Sequence, residues 1–166
     1  EMALKAGIYI LWLGARTTAS PFAMQEIANS LKGTDIPIFV KNPINPDIEL
    51  WIGALERLAH AGVNRLAAIH RGFSTYGDTT YRNTPIWEIA AELRSRIPQL
   101  PILCDPSHIG GKSELVKPLA EKALCLNYNG FFIETHINPS KALSDSRQQI
   151  TPEALHQLLT ELNIKL

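Results

Sequence analysis

The chain has 166 residues, of which 45% are apolar and 19% charged, so its composition is that of one globular domain and not of a disordered chain. Sixteen Lys and Arg residues balance sixteen Asp and Glu residues, which excludes a broad basic surface for nucleic acid or an anionic membrane. The longest apolar stretch, 6–15, is about half as long as a membrane-spanning helix. Without a signal peptide or a paired cysteine spacing, the chain is predicted to be cytoplasmic with reduced thiols.

Five short apolar runs, rich in Ile, Val and aromatic residues, predict buried β-strands. In chain order they are Tyr9 to Leu13, Ile36 to Val40, Leu66 to Ile69, Ile102 to Cys104 and Phe131 to Ile133. Helix start and stop signals lie between and after them. They predict helices from Ser20-Pro21 to about Lys32, from Asp47 to a stop at Gly62, from Pro85 toward Arg96, and from Thr151-Pro152 to about Leu162. A further helix either begins near Pro118 or kinks there.

The alternation of strand and helix, five times at intervals of about 30 residues, predicts right-handed βαβ units and a parallel sheet. Two architectures fit this pattern, a doubly wound open sheet and a (β/α)8 barrel. Each apolar run is followed by polar or charged residues, which a barrel would gather into one ring and an open sheet would spread along an edge. We therefore predict an α/β chain that forms a partial (β/α)8 barrel of about five units.

Three cations follow the first three strands, one at each strand end: Arg16, Lys41 and Arg71. Cations that converge in this way suit a ligand with several negative oxygens, such as a phosphorylated carboxylate, since guanidinium binds phosphate or carboxylate with two hydrogen bonds. The alternative is that each cation pairs with a neighbouring acid or extends to the solvent.

A second group of candidates, His108, Glu134 and Asp145, follows the fourth and fifth strands. One imidazole with two carboxylates is a mixed nitrogen and oxygen donor set that suits a divalent transition metal. The alternative assigns His108 to capping its own loop and Asp145 to capping a turn.

Other polar or aromatic residues near these strand ends have less definite roles. Gly110-Gly111 either lets backbone amides approach an anion or forms a turn, and the role of Asp105 is open. We interpret His70 and His136 as structural, and Trp12 as a residue that packs within its strand.

Five stretches of sequence carry a resemblance to a known family. They are WLGARTTASPFAMQEIA from Trp12, VKNPINPDIELWIGALERL from Val40, AAIHRGFSTYG from Ala67, PILCDPSHIGGK from Pro101 and FFIETHINPSKALSDSRQQITPE from Phe131. Together they resemble 3-deoxy-D-arabino-heptulosonate 7-phosphate (DAHP) synthases of the type I beta branch, in particular the synthase module of proteins fused to a chorismate mutase.

This resemblance implies a (β/α)8 barrel and a transferase that condenses phosphoenolpyruvate with erythrose 4-phosphate, at the first step of the shikimate pathway to aromatic amino acids. It implies that phosphoenolpyruvate binds to Arg16, Lys41 and Arg71. It also implies that a divalent ion, Mn, Fe, Co or Zn, is held by His108, Glu134 and Asp145. Lys41 and His108 are the residues predicted to be catalytic.

The sequence also departs from the family pattern. The GPC motif, whose cysteine is the family's fourth metal ligand, and the substrate-binding KPRTSP motif do not occur in it. Residues 1–166 are therefore expected to be the carboxyl-terminal part of one barrel domain, strands four to eight, with the chorismate mutase domain absent and negligible synthase activity on their own.

We expect a homo-oligomer, and a fused or separate chorismate mutase is a candidate partner. The alternative functions are 3-deoxy-D-manno-octulosonate 8-phosphate synthase, which shares the chemistry, and a non-catalytic barrel fragment that binds a partner or ligand.

Overall fold

The sheet consists of five parallel strands hydrogen-bonded in the order in which they occur along the chain. A computed structural model describes residues 2–77 and 80–164. The strands are β1 (Leu11–Leu13), β2 (Ile38–Lys41), β3 (Leu66–His70), β4 (Ile102–Cys104) and β5 (Gly130–Phe131). A doubly wound sheet reverses its strand order at a switch point. The unbroken order observed here is instead the order of successive units in a barrel.

Helices connect the strands and close the described chain. They are α1 (Met2–Lys5), α2 (Ala15–Thr18), α3 (Pro21–Ser30), α4 (Ile48–His60), α5 (Trp87–Arg96), α6 (Pro106–Gly110), α7 (Val116–Cys125) and α8 (Pro152–Glu161), with 3-10 turns at Ser113–Leu115 and Pro139–Lys141. Among the residues with described structure, no helix has the length and apolarity needed to cross a bilayer.

Side-chain caps begin the helices that the sequence predicts most clearly. Ser20, Asp47 and Thr151 each accept a hydrogen bond from the backbone N–H three residues later, which satisfies a group that has no partner inside the helix. Pro118 is the third residue of α7, so the alternative of a first-turn proline is correct. Its missing N–H costs no helical hydrogen bond at that position.

Proline and backbone geometry shorten several predicted elements. Pro37 has no N–H to donate before β2, so β1 begins at Leu11 and β2 at Ile38. β5 ends at Phe131 because its neighbour β4 ends at Cys104 and the chain then turns into α6. Helix α5 begins after Pro85, at Trp87, because Ile86 has a left-handed φ of 31°.

The two faces of the sheet have different surroundings. Leu13, Val40, Ala68 and Ile102 are aligned across β1 to β4 and belong to the main apolar core with residues of α3, α4, α5 and α7. Trp12, Phe39 and Ala67 share the opposite face, outside that core. Because side chains alternate along a strand, one face packs against helices and the other lines the concave side. Trp12 is 50% exposed, which corrects the prediction that it packs within its strand.

Candidate functional site

The carboxyl ends of the strands surround a cleft of about 310 Å³. All three predicted anion-binding cations line this cleft, namely Arg16, Lys41 and Arg71. Two of the predicted metal ligands, His108 and Asp145, line it as well. The two groups of residues that the sequence suggests separately therefore lie side by side.

Lys41, the last residue of β2, is almost completely buried at 3% exposure. Its Nζ lies 3.0 Å from Oδ2 of Asp105. Nζ also lies 4.7 Å from the ring centroid of Trp12 and 4.8 Å from that of Phe132. The carboxylate and the negative faces of the two rings offset the cost of taking the ammonium group out of water. Lys41 therefore pairs with an acid and also lines the cleft, and its role in binding an anion stays a prediction.

Asp105 connects this ion pair to the next helix. As the N-cap of α6, it accepts a hydrogen bond from the backbone N–H of His108 on Oδ1, at 2.9 Å. Its Oδ2 lies 2.8 Å from Nδ1 of His108. Burial by itself would raise the pKa of Asp105, but His108 and Lys41 outweigh burial and hold this pKa below its ordinary value. The carboxylate thus anchors a cation on one side and orients an imidazole on the other.

Arg16 and Arg71 have no ion pair with a carboxylate among residues 2–77 and 80–164. Arg71 follows β3 and is placed by its backbone N–H, which donates to Oδ1 of Asn42 at 2.7 Å. Burial lowers the pKa of Arg71, the Asp105 carboxylate raises it in part, and the neighbouring cations Arg82 and Arg16 lower it by smaller amounts. Guanidinium groups that lie this close to one another favour the binding of an anion between them.

His108, Glu134 and Asp145 converge at the same edge. One ligand atom from each residue lies within 4.8 Å of the other two. His108 lies in α6 and its Nε2 is 3.7 Å from Oε1 of Glu134. Glu134 follows β5, and its backbone N–H donates to Oγ of Ser107 at 3.1 Å. Asp145 has a left-handed φ of 52°, which an aspartate tolerates better than most residues.

The chemistry of these three residues fits a divalent transition metal. One imidazole nitrogen and two carboxylates form the mixed donor set that such ions accept, and three protein ligands leave positions for a substrate. Nδ1 of His108 faces the Asp105 carboxylate, so Nε2 is the nitrogen directed toward Glu134. A carboxylate behind a histidine is the usual support of a metal-binding imidazole.

Sequence reasoning missed two residues of this site. Nη1 of Arg82 donates to Oδ1 of Asp145 and to Oε1 of Gln148, each at 2.6 Å. Nε2 of Gln148 in turn donates to Oε2 of Glu134 at 2.7 Å. No periodic pattern in the sequence marked either residue. In the structure, Gly111 has a φ of +68°, and a Cβ atom there would lie 2.5 Å from Cβ of Arg82. The glycine therefore belongs to a turn that makes room for this arginine.

The two histidines interpreted as structural do not reach the cleft. His70 is fully buried and its Nδ1 lies 2.7 Å from the hydroxyl of Tyr128. Burial lowers the pKa of His70 to about 4. Nδ1 of His136 accepts a hydrogen bond from the backbone N–H of Asn138 at 2.9 Å, within its own loop.

Comparison with known proteins decides the family. The model of the DAHP synthetase I family matches residues 4–165. The chain belongs to the DAHP synthetase I family. This assignment confirms the family predicted from the five sequence stretches.

A phospho-2-dehydro-3-deoxyheptonate aldolase of Thermotoga maritima is 33% identical over 153 residues, which are 92% of this chain and 44% of that protein. A 2-dehydro-3-deoxyphosphooctonate aldolase of Wolinella succinogenes is 47% identical over 53 residues, 32% of this chain and 20% of that protein. The chain thus spans less than half the length of these curated relatives.

The solved structure of a truncated 3-deoxy-D-arabino-heptulosonate 7-phosphate synthase from Thermotoga maritima superposes on the chain with a TM-score of 0.81 at 30% identity. The superposition covers 93% of this chain and 57% of that one. The predicted α/β fold class, a partial barrel of parallel βα units, is confirmed by this match.

Proposed function

We propose that the chain carries the carboxyl-terminal part of a DAHP synthase site, at which phosphoenolpyruvate and erythrose 4-phosphate condense to DAHP and phosphate. The observation that carries the proposal is one cleft in which Arg16 and Arg71 form no ion pair with any carboxylate of the described residues, beside the three converging residues His108, Glu134 and Asp145. The family assignment supports it.

The cations define the binding of phosphoenolpyruvate in this proposal. Its phosphate and carboxylate groups match the charge of Arg16 and Arg71, whose guanidinium groups can each form two parallel hydrogen bonds. Lys41 adds a point charge that Asp105 holds in place. Because Asn42 fixes the backbone of Arg71 and Asp105 fixes Lys41, these groups lose little freedom when the substrate binds.

In the proposal, His108, Glu134 and Asp145 hold a divalent ion, which when bound supplies Lewis acidity toward a carbonyl oxygen. Their mixed nitrogen and oxygen donors are compatible with Mn, Fe, Co or Zn. The protein's contribution is to hold the imidazole beside the Asp105 carboxylate, with Nδ1 2.8 Å from Oδ2, and to bring Glu134 and Asp145 close to the ring. His108 is thus the proposed catalytic histidine, and Lys41 is the proposed catalytic lysine, whose ammonium would contact the phosphoenolpyruvate bound in the cleft.

The local similarity to a 2-dehydro-3-deoxyphosphooctonate aldolase favours a second candidate function. An eight-carbon product made from three-carbon phosphoenolpyruvate requires a five-carbon aldose phosphate instead of the four-carbon erythrose 4-phosphate. The first function has broader support, since the heptulosonate relative matches 92% of the chain and the octulosonate relative 32%. The length of the accepted aldose phosphate separates the two.

Phosphoenolpyruvate binding, measured by isothermal titration calorimetry with Mn²⁺ present, tests the proposal. Arg71→Ala should weaken binding about 10- to 100-fold, because it removes hydrogen bonds to a charged group worth about 1.5–3 kcal/mol. Arg65→Ala is the matched control, since Arg65 precedes the same strand at its opposite end and donates to the backbone oxygen of Asp35. Equal affinities of wild type and Arg71→Ala, or no binding by wild type, would contradict the proposal.

Turnover is a separate measurement, followed as phosphate release from phosphoenolpyruvate and erythrose 4-phosphate. We expect negligible turnover from the 166 residues alone, because the GPC and KPRTSP motifs do not occur in them. The extent of the domain, a homo-oligomer, association with a chorismate mutase and a cytoplasmic location stay predictions from the sequence.

A further inference from the structure

The segment that contains Arg82 and Asn83 is fixed against the helix that carries His108. The side-chain amide of Asn83 donates to the backbone oxygen of His108 at 2.7 Å, and its backbone N–H donates to the oxygen of Ile109 at 3.2 Å. At Gly72, a Cβ atom would lie 2.4 Å from the backbone oxygen of Asn83. The backbone at Arg82 is therefore held in a defined position relative to His108.

From this fixed position the Arg82 guanidinium reaches the loop before α8. A single nitrogen, Nη1, donates to the carboxylate of Asp145 and to the side-chain oxygen of Gln148. Guanidinium can only donate, so it orients the Gln148 amide with its oxygen toward Arg82 and its NH2 group away. That NH2 group donates to Oε2 of Glu134 at 2.7 Å.

The consequence for Glu134 is a defined orientation of its carboxylate. Gln148 holds Oε2, while Oε1 is the oxygen that lies 3.7 Å from Nε2 of His108. Gln148 is fully buried and has a partner for both of its polar groups. A buried amide with both ends paired has one favourable orientation, since rotation would set two donors against each other at Arg82.

We propose that Gln148, oriented by Arg82, is a positioning residue that aims the Glu134 carboxylate at the metal position. The same arginine holds Asp145, and Asn83 next to it holds the turn of His108, so one short segment supports all three residues of the group. This inference rests on the proposed function, because it assigns a role at the proposed metal site. Partners of metal ligands typically change metal affinity about 10- to 100-fold when they are lost.

The test compares Mn²⁺ affinities, by isothermal titration calorimetry, of wild type and Gln148→Leu. Leucine keeps most of the buried volume but removes both hydrogen bonds, so the affinity should fall about 10- to 100-fold. Gln157→Leu is the matched control, because Gln157 also donates to a glutamate carboxylate, Glu161 at 2.8 Å, on the exposed side of α8. The control should retain the wild-type affinity within about twofold, as expected for a surface substitution.

Two outcomes separate the two claims. Wild-type affinity in folded Gln148→Leu overturns the inference and leaves the proposed function standing. A wild type that binds no Mn²⁺ overturns both.

If circular dichroism shows that Gln148→Leu does not fold, Gln148→Asn replaces it, since the shorter amide cannot span the distance between Arg82 and Glu134. Substituting Co²⁺ then reports ligand geometry, and a visible absorption spectrum identical to that of wild type would also overturn the inference.

Discussion

Two ion pairs at the cleft differ in how far their side chains are exposed to solvent. Lys41 and Asp105 are paired in the interior, with side chains 4% and 0% exposed. Arg82 and Asp145 are paired at the surface, with side chains 46% and 28% exposed. The two aspartates have different roles. Asp105 supports Lys41 and His108, whereas Asp145 is itself a proposed metal ligand.

The difference shows how the site combines a fixed part with an exchangeable part. A buried ion pair is strongly destabilised when one partner is removed, because the other charge is left without compensation. An exposed pair contributes little to stability and its partners can be exchanged at small cost. Lys41 is therefore held by a pair that is costly to break, whereas the pair that holds Asp145 beside the proposed metal position contributes little to stability.

Breaking the buried pair should have the largest effect on the stability of the fold. Asp105→Asn keeps a side chain that can cap α6 but leaves the Lys41 ammonium buried without a carboxylate. We expect the free energy of unfolding to fall by about 3–5 kcal/mol, measured by urea denaturation at pH 7. A loss below about 1 kcal/mol would show that the buried pair is no more important to stability than an exposed one.

Acid should destabilise the interior of the fold through His70. His70 has a pKa of about 4 in the folded protein, and an unfolded histidine has a pKa near 6.5. Because the unfolded chain binds this proton more readily, the stability conferred by neutral His70 is complete above about pH 6.5 and is lost as the pH falls toward 4. The total effect is about 3 kcal/mol.

Urea denaturation as a function of pH measures this effect. His70→Gln should flatten the fall in stability between about pH 6.5 and 4. His156→Gln, at an exposed position of α8, is the control and should retain the wild-type slope. An unchanged slope in His70→Gln would assign the acid sensitivity to other groups. Asp105 also destabilises the fold in acid because its pKa is lowered, but it titrates below the range of His70.

The smallest expected effect on stability is at the surface pair. Asp145→Asn removes the charge that faces Arg82, and asparagine accepts the left-handed backbone at this position. The free energy of unfolding should change by less than about 1 kcal/mol, measured under the same conditions as Asp105→Asn. A loss as large as that of Asp105→Asn would remove the distinction between the fixed and exchangeable pairs.

The sequence predicted the parallel βα order well because that order depends on local patterns. Short apolar runs and capping residues such as Asp47 and Thr151 act over a few neighbouring positions. Strand ends were less accurate, because they depend on the neighbouring strand. Pro37 limits both β1 and β2, an effect that appears only when the register of the two strands is known.

The candidate site was predictable where residues follow strands directly. Arg16, Lys41 and Arg71 could be grouped because parallel strands bring their carboxyl ends to one edge. Arg82 and Gln148 could not, since both lie in loops whose course no periodic pattern determines. Trp12 was misjudged because its exposure depends on which face of the sheet the helices cover.

Titration of Mn²⁺ into wild type and Asp145→Asn, by isothermal titration calorimetry at pH 7, tests the central claim that His108, Glu134 and Asp145 form a metal site. We predict saturation at one ion per chain in wild type, and at least about tenfold weaker binding in Asp145→Asn together with nearly unchanged stability, because the carboxylate is a ligand and not a structural support. Equal binding by both proteins, or no saturable binding by wild type, would contradict this account.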